Sequence, residues 1–337
     1  MTKDTWIFQE KEEADVRSVD QGSGAWEFHR SLKEYSPTPL HYLADVAQEI
    51  GVKEVLVKDE AHRFGLGSFK ALGSSFCLHA LRKKEIPGVF CTASDGNHGI
   101  GLAWSARQYG CQAKIFLPQY VSDMKRRRIQ QMGGQIIDIH GDYDATVDAA
   151  RQASEKHDWA LIQDTSWEGY TEVPELIMQG YTTMLREISE PYDMLFLQVG
   201  VGSFASSLAA YAGLHPSGTK VVLVEPAASD GMYQSLLRGV PSLPAGFGET
   251  SMQGLNCGVP SLLAFEHLKR TYEAMTLISE EDASAAADEL KASNVYAGPS
   301  GAAGFAGLLK LRKDRHVFER LGLSSRSRVL CINTEGV

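Results

Sequence analysis

Gly65-Leu-Gly-Ser-Phe-Lys-Ala-Leu-Gly73 is followed, across one helical stretch and one strand-like run, by Ser94-Asp-Gly-Asn-His-Gly99. Lys70 opens a helix, because Phe69, Leu72, Phe76 and Leu81 recur at helical spacing. Val89-Phe-Cys-Thr92 reads as a strand, and the turn after it leads into a helix over 99–108. An amine placed this way can condense with an aldehyde to form a Schiff base. The glycine-asparagine turn can present backbone N–H groups to a carboxylate. A helical lysine on its own reads as part of a solvated face; the second motif separates Lys70 from that reading. The positive end of the helix dipole also disfavours a cation, which helps keep the Lys70 amine neutral and nucleophilic.

Outward from these motifs, β-branched runs alternate with helical stretches. Val55–Lys58, Ala113–Pro118, Gln135–His140, Ala160–Gln163, Met194–Gln198, Lys220–Glu225 and Val329–Asn333 read as strands. Helical patterns cover 121–132, 144–156, 174–188 and 205–212. This alternation predicts an α/β protein with mainly parallel sheet and helices on both faces. Pro241–Gly254 reads as a long surface loop. Ligands in such folds bind beyond the carboxyl ends of strands. Four unusual segments follow strands directly, Ser94–Gly99, Gln163–Tyr170, Gly200–Phe204 and Thr334–Gly336, and they are expected to converge on one crevice.

The chain has 337 residues, enough for one large or two medium domains. Its net charge of −9 argues against a nucleic-acid binder, which normally carries a basic surplus. The basic run Lys125-Arg-Arg-Arg128 reads as a solvated helix face. Five cysteines without Cys-x-x-Cys spacing fit reduced thiols and no metal site. The N-terminus lacks a signal-peptide pattern, and no apolar run reaches the roughly 18 residues that span a bilayer. A cytoplasmic protein with no membrane partner is expected.

Gly200-Val-Gly-Ser-Phe204 joins a strand to an apolar helix, and small residues there let a backbone approach a phosphate at the helix start. A tight turn that needs glycine for steric reasons gives the same string. Position 205 is alanine, so the dinucleotide fingerprint is absent, as is the nucleotide P-loop. Asp95 and Asp164, each just after a strand, suit an acid–base pair or a pair of turn caps. Thr334 ends the last strand with a hydroxyl suited to a ring nitrogen.

These segments resemble the fold type II pyridoxal-phosphate enzymes, the tryptophan synthase β-like class. Within it the chain is most similar to the diaminopropionate ammonia-lyases. The matching strings are Phe28-His-Arg-Ser31, Tyr35-Ser-Pro-Thr-Pro-Leu40, Val57-Lys-Asp-Glu60, Arg63-Phe-Gly-Leu66, Ser94–Gly99, Gln163-Asp-Thr-Ser-Trp-Glu-Gly-Tyr170, Ile177-Met-Gln-Gly180, Gln198–Gly202, Gly254-Leu-Asn-Cys-Gly258, Ser300-Gly-Ala302 and Thr334-Glu-Gly336. They run in order through nearly the whole chain. The resemblance implies two mainly parallel open twisted sheets, with the cofactor in the cleft between domains. It implies a large cofactor-binding domain over 1–74 and 186–337 and a small substrate-binding domain over 75–185.

By the same resemblance Lys70 is the Schiff-base lysine, flanked by Phe69. Asn97 contacts the ring oxygen, and Gly200, Val201, Gly202, Ser203 and Phe204 wrap the phosphate. Thr334 faces the pyridine nitrogen. Ser94, Asp95, Gly96, His98 and Tyr170 bind substrate. Lys70 would serve the L-isomer, Asp95 the D-isomer, and Asp164 the departing β-amino group. The implied reaction is α,β-elimination of 2,3-diaminopropionate to pyruvate and ammonia by a homodimer. The alternatives are elimination or replacement on another β-substituted amino acid, as in serine/threonine dehydratases, a non-catalytic ligand-binding protein on this scaffold, and a nicotinamide-dependent oxidoreductase. Retention of Asp95 and Asp164 argues against a plain serine/threonine dehydratase, an intact Lys70 against the binding protein, and the missing dinucleotide fingerprint against the oxidoreductase.

Overall fold

The computed structural model describes residues 6–9, 23–82, 88–94, 96–141, 143–214, 218–246 and 248–337. Asp95 lies outside the described residues. The chain divides into two compact units. The larger holds 37–62 and 184–337 with the strand Trp6–Phe8, and the smaller holds 23–36 and 63–183. The sequence expectation had placed 23–36 and 63–74 with the larger domain and 184–185 with the smaller. The helix Lys70–Arg82 runs unbroken through position 74, so its first turn stays with the smaller unit.

In chain order the strands are β1 (Trp6–Phe8), β2 (Leu40–Tyr42), β3 (Glu54–Asp59), β4 (Val89–Ala93), β5 (Gln112–Pro118), β6 (Gly134–Ile139), β7 (Ala160–Leu161), β8 (Met194–Gln198), β9 (Lys220–Pro226), β10 (Ala274–Ile278) and β11 (Arg328–Asn333). The larger unit carries a seven-stranded sheet ordered β1-β10-β9-β8-β11-β3-β2. Its inner strands are parallel and its two edges, β1 and β2, are antiparallel. The inner strands are near-continuous apolar runs, as a sheet covered on both faces requires. Met194–Gln198 is buried at every position. The core continues into the helix Pro299–Leu309, where Ala302, Ala303, Phe305, Ala306 and Leu308 are buried with Phe196, Val222 and Val224.

The smaller unit carries a four-stranded parallel sheet ordered β6-β5-β4-β7. From β4 the chain winds outward through β5 to β6, then returns to place β7 on the other side of β4. In the larger sheet the chain winds from β8 through β9 to β10, then returns to place β11 beside β8. Each sheet therefore has one point where its winding reverses, and that is where open α/β sheets leave a crevice for ligands. The four unusual segments fall two and two on these points. Ser94–Gly99 and Gln163–Tyr170 follow β4 and β7; Gly200–Phe204 and Thr334–Gly336 follow β8 and β11. Each sheet thus builds two of the four.

Candidate active site

In the smaller unit Lys70 is the first residue of its helix, as the apolar spacing predicts. Its Nζ lies 2.5 Å from Oδ2 of Asp164, which follows β7. Both are largely buried: the Lys70 side chain is 21% exposed and that of Asp164 8%. Burial alone would raise the Asp164 carboxyl. The Lys70 amine and His98 beside it outweigh burial and hold the carboxyl well below the usual carboxylate range. The helix start disfavours a charge on Lys70, while Asp164 supplies the counter-charge that the sequence reading did not weigh.

His98 Nε2 lies 2.7 Å from the Ile162 carbonyl, and its Nδ1 lies 3.8 Å from Asp164 Oδ2. A carbonyl only accepts, so Nε2 carries a proton and Nδ1 is turned to the carboxylate. The His98 ring, expected at the substrate, thus also faces Asp164. Ser94 is likewise occupied: its Oγ accepts from the amides of Gly96 and Gly99, 3.0 and 2.9 Å away. It ties down the start of the helix Asn97–Gln108. Asn97 is half-buried at that start.

The Tyr170 hydroxyl donates to the Leu161 carbonyl at 2.7 Å and accepts from the Gln163 amide at 3.0 Å, and the ring stacks on Trp167. The phenol closes the 163–170 loop that carries Asp164.

Two contacts escaped the sequence reading. Tyr181 ends the helix Glu172–Tyr181 fully buried, its ring edge-on to Phe69 at 4.8 Å. The Lys70 amine lies 5.1 Å from the centre of the Phe69 ring. Burial pushes the Tyr181 phenol up, so it stays protonated beside Lys70. The helices bearing Lys70 and Tyr181 meet at Gly73 and Gly180, where a side chain on Gly180 would run into the Leu72 carbonyl. This glycine pair was the available signal. The second contact is the basic run. Arg128 donates to the Leu66 carbonyl at 2.6 Å. The Lys125 arm fills the place of a Gly96 side chain, with Nζ 3.3 Å from where that Cβ would be. Arg126 holds the Val121 and Pro118 carbonyls and Asp138. Two of the four residues of the expected solvated face, Lys125 and Arg128, therefore reach the glycine turns, while Arg127 stays exposed.

In the larger unit Gly200–Gly202 joins β8 to the helix Ser203–Gly213. Gly202 has φ +96°, a left-handed conformation, and a Cβ there would meet Met232 at 2.8 Å. The turn leads to buried Ser203 and Phe204, and the Val201 carbonyl is held by the Ser261 amide. Thr334 is buried just past β11, its Oγ1 accepting from Gln198 Nε2 at 3.0 Å. The amide-rich helix start and the absence of charged side chains from 199–207 suit an anion. Among the described residues no group of three or more His, Cys, Asp or Glu is placed to hold a metal. None of their helices is long and apolar enough to cross a membrane.

A reactive lysine and a glycine-rich helix start, each at the reversal point of a parallel sheet, define a class, and comparison with known families agrees. The family model for pyridoxal-phosphate dependent enzymes matches residues 32–335, and the chain belongs to that family. Among its relatives, the diaminopropionate ammonia-lyase of Escherichia coli K12 is 34% identical, covering 96% of this chain and 90% of that one. The enzyme of the same name from Salmonella typhimurium is also 34% identical, over 92% of this chain and 87% of that one. The crystal structure of the Escherichia coli enzyme with an aminoacrylate-PLP azomethine reaction intermediate superposes with a TM-score of 0.88 at 32% identity. It covers 98% of this chain and 93% of that one.

Proposed function

We propose that this chain eliminates ammonia from 2,3-diaminopropionate of either configuration, and that the aminoacrylate released takes up water to give pyruvate and a second ammonia. The observation that carries the reading is the Lys70–Asp164 pair. It joins an amine able to condense with an aldehyde to a carboxylate able to hold a departing ammonium by its hydrogen bond. Pyridoxal phosphate, when bound, supplies the electron sink that makes an α-proton acidic. The residues present suit it. Lys70 offers the amine, Gly200, Val201, Gly202, Ser203 and Phe204 an anion-binding turn, and Thr334 a hydroxyl for the ring nitrogen. Phe69 and Asn97 would line the ring. The larger unit then serves as the cofactor-binding domain and the smaller as the substrate-binding domain.

Lys70 Nζ takes the α-proton of the L-isomer. Asp164 Oδ2, ionised beside Lys70 and His98, orients the substrate's β-ammonium by accepting its hydrogen bond, and that group already carries the three protons with which ammonia departs neutral. The turn of Ser94, Gly96 and His98 receives the carboxylate, and Asp95 takes the α-proton of the D-isomer. We read the working form as a cytoplasmic homodimer acting on a small amino acid, as the family resemblance implies. The test is pyruvate release by cofactor-loaded protein from each diaminopropionate isomer, with and without Asp95→Asn. The variant should lose D-isomer turnover by on the order of 100-fold, the worth of a positioned base, and largely keep L-isomer turnover. Equal losses would remove the role of Asp95. Fast turnover of L-serine with none of diaminopropionate would move the chain to the dehydratase-like reading.

A further inference from the structure

We propose that Gln198 fixes the polarity of the Thr334 hydroxyl, making it a donor to an uncharged ring nitrogen of pyridoxal phosphate. The inference deepens the reading above and rests on its assignment of Thr334 to the ring nitrogen.

Gln198 ends β8 and Thr334 follows the adjacent β11; both are buried, at 1% and 4% exposure. Gln198 Nε2 lies 3.0 Å from Thr334 Oγ1 and 3.0 Å from the Ile332 carbonyl, and 3.2 Å from each of the Ser300 and Gly301 carbonyls. Three of these four neighbours can only accept. Turned over, the amide would aim its oxygen at three carbonyl oxygens, so the surroundings dictate which end is NH₂. Toward Gln198, Thr334 Oγ1 is therefore an acceptor. A hydroxyl has one proton, and this one is left to be given elsewhere. A hydroxyl committed to donation matches a ring nitrogen with a free lone pair. Against a protonated ring nitrogen, two hydrogens would face each other.

The other end of the amide carries a cost. Gln198 Oε1 is buried with no hydrogen-bond partner, beside Gly304. A buried acceptor left unsatisfied is destabilising, and an apolar side chain of similar size would avoid that cost. The apolar replacement would lose the N–H group shared by Thr334 and the three carbonyls, and only the contact with Thr334 reaches the ring. Gln198 is thus a positioning residue, acting on the ring through Thr334.

The test is a double-mutant cycle in cofactor binding, which needs no substrate. Apoprotein of wild type, Gln198→Leu, Thr334→Ala and the double variant is titrated with pyridoxal phosphate. The cofactor absorption maximum and the apoprotein melting temperature are recorded for each. The expected results are a Kd raised about 5- to 10-fold by either single change, the worth of one hydrogen bond, and a double variant no weaker than Thr334→Ala. Gln198→Leu should shift the absorption maximum as Thr334→Ala does, in an apoprotein that still melts cooperatively. Additive losses in the cycle, or wild-type affinity and spectrum in Gln198→Leu, would overturn the proposal. Wild-type binding by Thr334→Ala would overturn it through its premise. A wild-type protein that binds cofactor but ignores diaminopropionate would sink the substrate reading alone and leave this cycle intact.

Discussion

The two sheets use the same architectural device for opposite electrostatic ends. At the reversal point of the smaller sheet the side chains are charged and coupled: Lys70 on Asp164, with His98 behind. At that of the larger sheet they are neutral donors and acceptors: backbone amides, Ser203, Gln198 and Thr334. The units even treat a buried carboxylate oppositely. Asp164 is held low by its cationic neighbours despite burial. Glu225, ending β9, is pushed well up by burial, although the amides of Met232 and Tyr233 donate to it at 2.9 and 2.8 Å. The contrast divides the labour of the site. Groups that must move protons need a partner that changes charge with them, whereas groups that only hold a cofactor work best as fixed dipoles.

The comparison breaks most visibly at Lys70. Lys70→Ala should lower turnover by at least roughly 10³-fold, since both covalent attachment and a base are lost; steady-state pyruvate release near the wild-type rate would end the account. In the larger unit Gly202→Ala should weaken cofactor binding by about 10-fold. The left-handed backbone and the contact with Met232 together cost roughly 1–3 kcal/mol, part of it borne by the phosphate turn. Titration of apoprotein reads this directly.

Acid unfolding sharpens the contrast between the carboxylates. Asp164 titrates lower folded than unfolded. Its contribution to stability is therefore present above the ordinary carboxylate range, about pH 4, and is lost as the pH falls below it. Asp164→Asn should accordingly melt with a shallower acid dependence than wild type. Glu225 has the opposite sign: the unfolded chain ionises first, so stability falls as the pH rises above about 4. Glu225→Gln should remove that fall, as thermal melts between pH 3 and 7 would show. The smallest effect is expected at Lys125, where Lys125→Met should raise KM for diaminopropionate about 3-fold with kcat little changed, a partly exposed cation being worth under ~1 kcal/mol. A fall in kcat alone would mean that the arm beside Gly96 serves the chemistry and not substrate binding.

Parallel inner strands were legible because burial on both faces leaves unbroken apolar runs: Met194–Gln198 has the bounds read from sequence. The edges β1 and β2 were not, since three residues show no periodicity, and β10 hid in a short run between helices. The helical pattern read over 174–188 is two helices, 172–181 and 183–186, which apolar spacing alone does not separate. Asp164 and the glycine turn at 200–202 announced themselves by following strands, Lys70 by opening a helix after a glycine-rich string. What they touch did not. Tyr181 reaches Lys70 only because two helices cross at glycines, and Lys125 and Arg128 reach the turns only through the lie of their helix. Tyr170 has the composition of a ligand contact, and its backbone hydrogen bonds are visible only once the loop is folded.

The division of labour rests most heavily on Asp164 as the group that serves the leaving amine. Its direct test compares Asp164→Asn with wild type on diaminopropionate and on β-chloroalanine, whose chloride departs without a proton. The account predicts a loss of on the order of 10²–10³-fold on diaminopropionate, the worth of a fixed charge aimed at the departing group, with β-chloroalanine turnover within about 10-fold of wild type. Equal losses on both substrates would show that Asp164 only holds Lys70 in place, and would contradict the account.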